Sequence, residues 1–324
     1  MPDMADFYKS CNLCPRRCGV NRHNSFGYCG ESADLRLGCA SIHRGEEPPI
    51  TGTGGSGTVF VSGCNLGCVF CQNHQISRPA SLRNGLAANS NAAQPMGRAV
   101  SAEEFSLICL ALQKEGAENI NIVTGSHAIP ALAAGIDAAR ASGLRIPVLW
   151  NTSAYESAEA LELLRGRIDT FLPDLKTLDP EISGRFFNAP DYPETAVAAL
   201  CAMMEITGNM ESKVIIRHLI LPGFLESTRQ VLLWLADNAW GKALLSLMTQ
   251  YTPPPHGIGG IPTRYVNKTD YETVLEWLDD YGIEDGYCQE LVTGSDWLPD
   301  FNRINPFSSE LSKPVWHWSC GFIS

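Results

Sequence analysis

The chain is 324 residues long and carries 35 acidic against 24 basic side chains, a formal net charge of −11. That balance argues against a nucleic-acid partner, because phosphate binding needs a basic surface. The length suits one large domain with a small appendage, and 44% apolar content is ordinary for a globular protein. No apolar run reaches the length of a membrane span, and Met1–Ser10 lacks the basic and apolar regions of a signal peptide. The expected address is therefore cytoplasmic, with no membrane association. Twelve cysteines there point to metal or redox chemistry rather than disulfides, and eight of them fall before residue 72.

The first group is Cys11, Cys14, Cys18 and Cys29, spaced C-x2-C-x3-C-x10-C among tight glycine turns. Four thiols in so short a segment read as a second metal site, either zinc or an accessory [4Fe–4S] cluster. A small segment without a core favours a structural role, and an accessory cluster close enough to the main site would also pass electrons inward. Cys39 and His43 are spare candidate ligands that read more simply as a packed thiol and a surface histidine, and Glu46-Glu47-Pro48-Pro49 reads as a solvated turn, with the lining of a cavity as its alternative.

From residue 58 short β-branched runs alternate with helical patterns. Thr58–Ser62 is the first predicted strand and feeds Cys64-Asn65-Leu66-Gly67-Cys68-Val69-Phe70-Cys71, spaced C-x3-C-x2-C. Three thiolates on one loop can hold three irons of a [4Fe–4S] cube and leave the fourth open to an outside ligand, whereas four would close the site. A zinc knuckle or a buried loop of thiols is the blander alternative. Leu82–Gly97 is polar and unpatterned, an exposed loop by composition. Ser101-Ala102-Glu103-Glu104 opens a helix to about Glu115. Predicted strands follow at Asn119–Thr124, Ile146–Asn151, Ile168–Pro173, Lys213–Leu221 and Ala243–Gln250. Helices are expected over Pro130–Ala141, Ser157–Arg165, Pro193–Thr207, Thr228–Ala239 and Tyr271–Tyr281. Six successive strand–helix units imply parallel strands with right-handed crossovers, an α/β fold forming a partial (β/α)6 TIM-like barrel. The expected division is a cysteine-rich metal-binding segment at 1–48, a core domain at 49–292 and a C-terminal extension at 293–324.

In such barrels chemistry collects at the C-terminal ends of the strands. Those ends carry Cys64–Cys71, Thr124-Gly125-Ser126-His127, Asn151-Thr152-Ser153, Asp174-Leu175-Lys176, Arg217-His218 and Gln250-Tyr251. Each exit is polar or ionisable after an apolar strand.

These residues together resemble the radical S-adenosylmethionine (SAM) superfamily, in a group related to pyruvate formate-lyase activating enzyme but with an N-terminal four-cysteine motif. The resemblance runs from about Cys11 to Gln289 and implies a [4Fe–4S] cluster on Cys64, Cys68 and Cys71, with SAM on the open iron. It places Phe70 beside the adenine. Thr124, Gly125 and Ser126 stand where many relatives have Gly-Gly-Glu, so the contact to the methionine amino group would fall to Ser126, His127 or backbone carbonyls. Asn151 and Thr152 replace an Asp-Thr pair, and Asp174 with Lys176 matches Asp-x-Lys. The loss of one aspartate puts a cation site near SAM in doubt. Lys176 is expected near the SAM carboxylate or ribose, a solvated surface lysine being the alternative. Arg217 is expected at the same carboxylate or in an internal ion pair. Gln250 and Tyr251 are expected near the adenosine.

The implied chemistry is reductive cleavage of SAM to a 5′-deoxyadenosyl radical that abstracts a hydrogen atom, driven by a donor such as flavodoxin or ferredoxin. The substrate would be a glycyl-radical enzyme, making the chain an activase. The alternative is a small molecule or sugar, for instance in an epimerase with Cys288 returning hydrogen. A further alternative is a non-catalytic iron–sulfur electron carrier. Cys109 and Cys201 read as core thiols, and the tail with Trp316-His317-Trp318 and Cys320 as docked over the barrel.

Overall fold

The computed structural model describes residues 6–77, 96–254, 260–292, 294–295 and 297–323. The expected loop at 82–97 lies, up to residue 95, outside the described residues. The main sheet contains β1 (Leu35–His43), β2 (Ser56–Val61), β3 (Arg98–Val100), β4 (Ile120–Val123), β5 (Val148–Thr152) and β6 (Thr170–Pro173). A second sheet contains β7 (Ile215–Leu219), β8 (Leu244–Met248) and β9 (Gly286–Cys288). Strands β2, β4, β5 and β6 run parallel in that order, as do β7, β8 and β9. Isolated parallel bridges at Phe171–Val214 and Asp174–Arg217 join the two sheets between β6 and β7. The arrangement is an open parallel α/β sheet, the partial barrel that the strand–helix alternation implies.

All of β2 and β4 is buried, which is why these strands read as near-continuous apolar runs rather than alternating ones. Helices α1 (Ala102–Lys114), α2 (Ile129–Ala141) and α3 (Ala158–Glu162) return the chain between strands. The hydroxyls of Ser101 and Ser157 cap α1 and α3, each accepting a backbone N–H three residues on. After β6 come α4 (Pro180–Phe187) and α5 (Tyr192–Ile206), then α6 (Leu225–Asn238) after β7 and α7 (Lys268–Asp280) after β8. Helix α4 was not expected. It is an eight-residue helix capped by the Asp179 carboxylate and ended by Asn188 at φ +54°.

Two edge additions complete the main sheet. Strand β1 pairs antiparallel with β2, and β10 (Ser312–His317) from the tail pairs antiparallel with β1, followed by β11 (Gly321–Phe322). The tail thus joins the sheet as a strand. Trp316 is fully buried, with Arg98 over its ring at 4.7 Å and its N–H donated to Glu104 at 3.3 Å. Cys109 is a core thiol as expected, but Cys201 is exposed, because it lies on the outer face of α5. His43 is half-buried rather than a surface residue, since its ring packs on Phe307 at 4.8 Å.

Candidate active site

The strand exits meet in one cavity of about 410 Å³. Cys64, Cys68 and Cys71 line it from the loop after β2, and all three thiols are half-buried. The loop starts at Gly63, whose φ of +87° suits glycine, and a Cβ there would lie 2.4 Å from Glu31 Cγ and 2.8 Å from His127 Nε2. Further on, Gly67 and Val69 donate backbone N–H groups to the carbonyls of Phe187 and Phe186, so the end of α4 holds the loop's second half. Phe70 lines the cavity within a cage of edge-on rings, Phe186 at 6.3 Å, Phe187 at 5.9 Å and Tyr251 at 5.4 Å. Burial pushes the Cys68 thiol up to about 12, with Lys176 opposing, so the protein alone does not favour a thiolate there.

Thr124, at the exit of β4, lines the cavity at φ +63°, an unusual conformation for a β-branched residue. Gly125 and Ser126 lie behind it. A Cβ on Gly125 would sit 2.4 Å from the Trp150 ring, so glycine is needed there for close packing. Ser126 is fully buried and donates to Glu156 at 2.7 Å. The same carboxylate oxygen accepts from Trp150 at 3.1 Å and from Thr152, while the other oxygen has no partner. Burial raises the Glu156 carboxyl above the usual range, and the three donors pull the other way. Asn151 and Thr152 line the cavity directly.

The exits of β6 and β7 bring charge. Lys176 donates to Asp174 at 2.6 Å, and both are largely enclosed at the cavity wall rather than solvated. Arg217 also lines the cavity, held from behind by Glu46 at 2.6 Å and by both oxygens of Glu47. The Glu46-Glu47 pair is therefore not a solvated turn; the guanidinium fork draws it against the cavity. Burial alone would raise the Glu47 carboxyl, but the Arg217 charge and hydrogen bonds hold it below the usual range. Gln250 lines the cavity and is fixed on both sides, its carbonyl accepting from Gln72 at 3.2 Å and its side chain from Gln289 at 3.1 Å. Tyr251 sits behind Phe70 and donates its hydroxyl to the Pro262 carbonyl at 2.8 Å. Cys288 is exposed on β9 and does not line the cavity, whereas its neighbour Gln289 does.

More than half of the chain, residues 58–235, matches the family model of the radical SAM superfamily. The chain belongs to that superfamily. Over 248 residues it is 27% identical to an uncharacterized protein of Methanocaldococcus jannaschii, covering 76% of this chain and 68% of that one. Among solved structures it is similar to SuiB of Streptococcus suis, at 17% identity and a TM-score of 0.45, over 71% of this chain and 47% of SuiB. It is also similar to HydG, a maturase of the [FeFe]-hydrogenase, at 14% identity and a TM-score of 0.48, over 77% of this chain and 58% of HydG. The chain thus spans about half the length of SuiB.

The superfamily's cofactors are a [4Fe–4S] cluster and SAM. The donor set of this radical SAM site fits them: three thiols on one loop face a cavity that also offers an aromatic ring, paired charges and side-chain amides. Among the described residues no three metal-binding side chains converge on a single point, in this loop or in the N-terminal one. A cube spreads its thiolates over separate irons and does not require the tight convergence of a mononuclear site.

Residues that the sequence reading left out of the site are Glu156 and the tail side chains Trp297, Phe307 and Leu311, which line the cavity as His43 does; for Glu46-Glu47 the less favoured of its two readings, a place at the cavity, is the one that holds. The Glu156 signal was present, in a glutamate four residues after Thr152 on an exit loop. The tail residues carry no local signal, because their place depends on β10 pairing with β1.

Proposed function

We propose that this chain cleaves SAM reductively and directs the resulting radical at a C–H bond presented at the cavity mouth. The observation that carries the reading is the meeting of all three cysteines of one loop with Phe70, Asn151, Asp174, Lys176, Arg217 and Gln250 around one cavity. With one electron from a reduced flavodoxin or ferredoxin, a [4Fe–4S] cluster held by Cys64, Cys68 and Cys71 and carrying SAM would supply the chemistry, reductive cleavage of SAM coupled to removal of a hydrogen atom from the substrate.

The residues of the chain bind and aim. Cys64, Cys68 and Cys71 would hold the cluster, and the Phe70 cage would carry the adenine against an apolar wall. Lys176 and Arg217 would meet the SAM carboxylate, while Asp174 and Glu46 offset the sulfonium and amino charges. Glu156 acts through its neighbours, fixing the Ser126 and Thr152 hydroxyls so that the β4 and β5 exits keep one shape. The enclosing walls keep water from the radical.

For the substrate we favour the activase reading, hydrogen abstraction from a glycine of a partner protein. With Cys288 turned out of the cavity, a reaction that needs no returned hydrogen suits the site better. Modification of a small molecule is the second reading, favoured by the wall of Trp297, Phe307 and Leu311 at the cavity.

The test is 5′-deoxyadenosine formation from SAM by reduced, iron-reconstituted protein. Wild type is expected to form it and the Cys64→Ala/Cys68→Ala/Cys71→Ala variant to form none. Equal formation by both would refute the site. An organic radical signal on an added glycyl-radical enzyme separates activase from small-molecule chemistry.

A further inference from the structure

We propose that the tail side of the cavity is a substrate subsite, in which His43 reads one uncharged polar atom on an otherwise apolar group. The inference deepens the proposed function by naming what the substrate carries beside its C–H bond, and it rests on that reading.

The two sides of the cavity differ in kind. Asn151, Asp174, Lys176, Arg217 and Gln250 give one side charges and amides, which suit the polar groups of SAM. The other side is lined by Phe60, Val123, Phe307 and Leu311. These side chains belong to an apolar cluster of their own, in which β2, the exit of β4 and the tail meet. The Phe60 and Phe307 rings lie 5.6 Å apart. Rings and branched side chains that face open space gain most from an apolar occupant. Val123 precedes Thr124, so this wall borders the exits assigned to SAM.

His43 is the polar exception in that wall. Its backbone is fixed between two strands, opposite Ser56 of β2 and Ser312 of β10. Its ring packs on Phe307 at 4.8 Å, with 49° between the planes. Neither ring nitrogen has a hydrogen-bond partner among the described residues, and Nδ1 is buried. An enclosed imidazole without partners costs stability, and a ligand group would offset that cost. Burial holds its pKa below the usual histidine value, with Glu46 opposing and Arg217 assisting. The ring is therefore neutral at pH 7 and offers one donor and one acceptor.

Gly45 supplies a second observation. It lines the cavity, and a Cβ there would lie 3.0 Å from His43 Nε2. Its φ falls outside the left-handed region, so the backbone does not call for glycine. The missing side chain instead leaves Nε2 uncovered.

Charge decides the class of occupant. Arg217 is taken by Glu46 and Glu47, and the other oxygen of Glu46 accepts from Asn121 at 3.1 Å. A carboxylate or ammonium on the tail side would lose water and find no free counter-ion. The occupant is an uncharged ring or branched carbon skeleton whose hydroxyl or amide meets Nε2. A side chain beside the target glycine of a partner protein and a free small molecule both carry such chemistry.

The test measures, by ligand-observed NMR on the anaerobically purified full chain, the affinities of benzyl alcohol, toluene, benzylamine and benzoate. Benzyl alcohol is expected to bind roughly 3- to 10-fold tighter than toluene and at least about tenfold tighter than either charged probe. A charged probe that binds as well as benzyl alcohol overturns the proposal. His43→Phe keeps a ring on Phe307 and is expected to abolish the preference for the alcohol while toluene stays bound. Gly45→Ala, which crowds Nε2 and changes no apolar wall residue, is expected to lower the same preference. A preference unchanged in both variants overturns the role of His43. Added SAM, without reductant, is expected to leave benzyl alcohol bound, and displacement by SAM overturns the division of the cavity.

A competition arm assigns the source. If benzyl alcohol slows radical formation on an added glycyl-radical enzyme, the group belongs to that partner; radical formation that it does not slow overturns the subsite. No radical on the partner defeats the activase reading alone and assigns the bound group to a free small molecule. The binding probes need no cleavage of SAM, so their failure leaves the radical chemistry standing.

Discussion

The two cysteine loops use the same donor atom in opposite surroundings. Cys64, Cys68 and Cys71 stand half-buried at a cavity of about 410 Å³, beside charges that pair with one another, Lys176 with Asp174 and Arg217 with Glu46 and Glu47. In the Cys11–Cys29 segment, by contrast, Cys11, Cys14 and Cys29 are each less than a tenth exposed, and no residue from 11 to 29 lines that cavity. The difference teaches that enclosure, more than spacing, separates a cysteine loop open to a further ligand from one packed against its own segment. An open loop must be kept in shape by neighbours, because it lacks a fourth ligand of its own. The backbone bonds from Cys29, Phe186 and Phe187 do this here.

The largest effect expected from breaking that support is at glycine. Gly63→Ala combines a left-handed backbone with overlap on Glu31 and His127, and should cost about 5 kcal/mol, seen as loss of folded, iron-loaded protein. Gly19→Ala in the closed segment has φ +66° but nothing within 4 Å, and should cost only about 1 kcal/mol by chemical denaturation. Equal costs would mean that the two loops are not held differently.

Charge at the open loop comes next. Arg217→Met leaves Glu46 and Glu47 enclosed without their cation and should destabilise by about 4 kcal/mol, measured in urea. The Glu47 carboxyl, now below the usual range, should then titrate higher because burial acts unopposed. A Tm within a degree or two of wild type would show that the cluster of charges is solvated in solution.

How far these features were legible depends on their range. Six of the seven parallel strands were readable from their apolar runs, with ends misplaced by a few residues, and so was the capped helix after Ser101; β9, three residues long, was not. Strand β1 was missed: Leu35–His43 is covered on both faces and so shows no alternation to set it apart. Helix α4, which opens at Pro180 and closes at Asn188, was missed because eight residues are too few to show a clear helical period. The cysteine triplet was legible because cluster ligation needs a fixed local spacing. The pairing of Arg217 with Glu47 spans 170 residues, and no local pattern announces it.

Glu156 gives a smaller and pH-dependent effect. Its folded carboxyl titrates above the ordinary glutamate value because burial disfavours the anion. The folded state then holds a proton that the unfolded chain has released, so stability should fall as pH rises above the ordinary glutamate range. Glu156→Gln keeps an acceptor for Ser126, Trp150 and Thr152 and should flatten that slope, moving neutral-pH stability by about 2 kcal/mol at most. Denaturant midpoints between pH 5 and pH 8 check this, and parallel slopes for the two proteins would refute it.

The smallest effect is expected where the tail meets the cavity. Trp297 is half-buried, lines the cavity and donates its indole N–H only to the nearby Gly294 carbonyl at 3.0 Å. If it belongs to the wall that meets ligand, Trp297→Ala should cost about 1 kcal/mol of stability, far less than Arg217→Met. Its mark should instead be on coupling, with more 5′-deoxyadenosine formed per substrate modified, because a widened mouth holds the target less firmly. A fall in Tm as large as that of Arg217→Met would make Trp297 part of the scaffold, and the contrast between a ligand-facing wall and a load-bearing one would then fail at the tail.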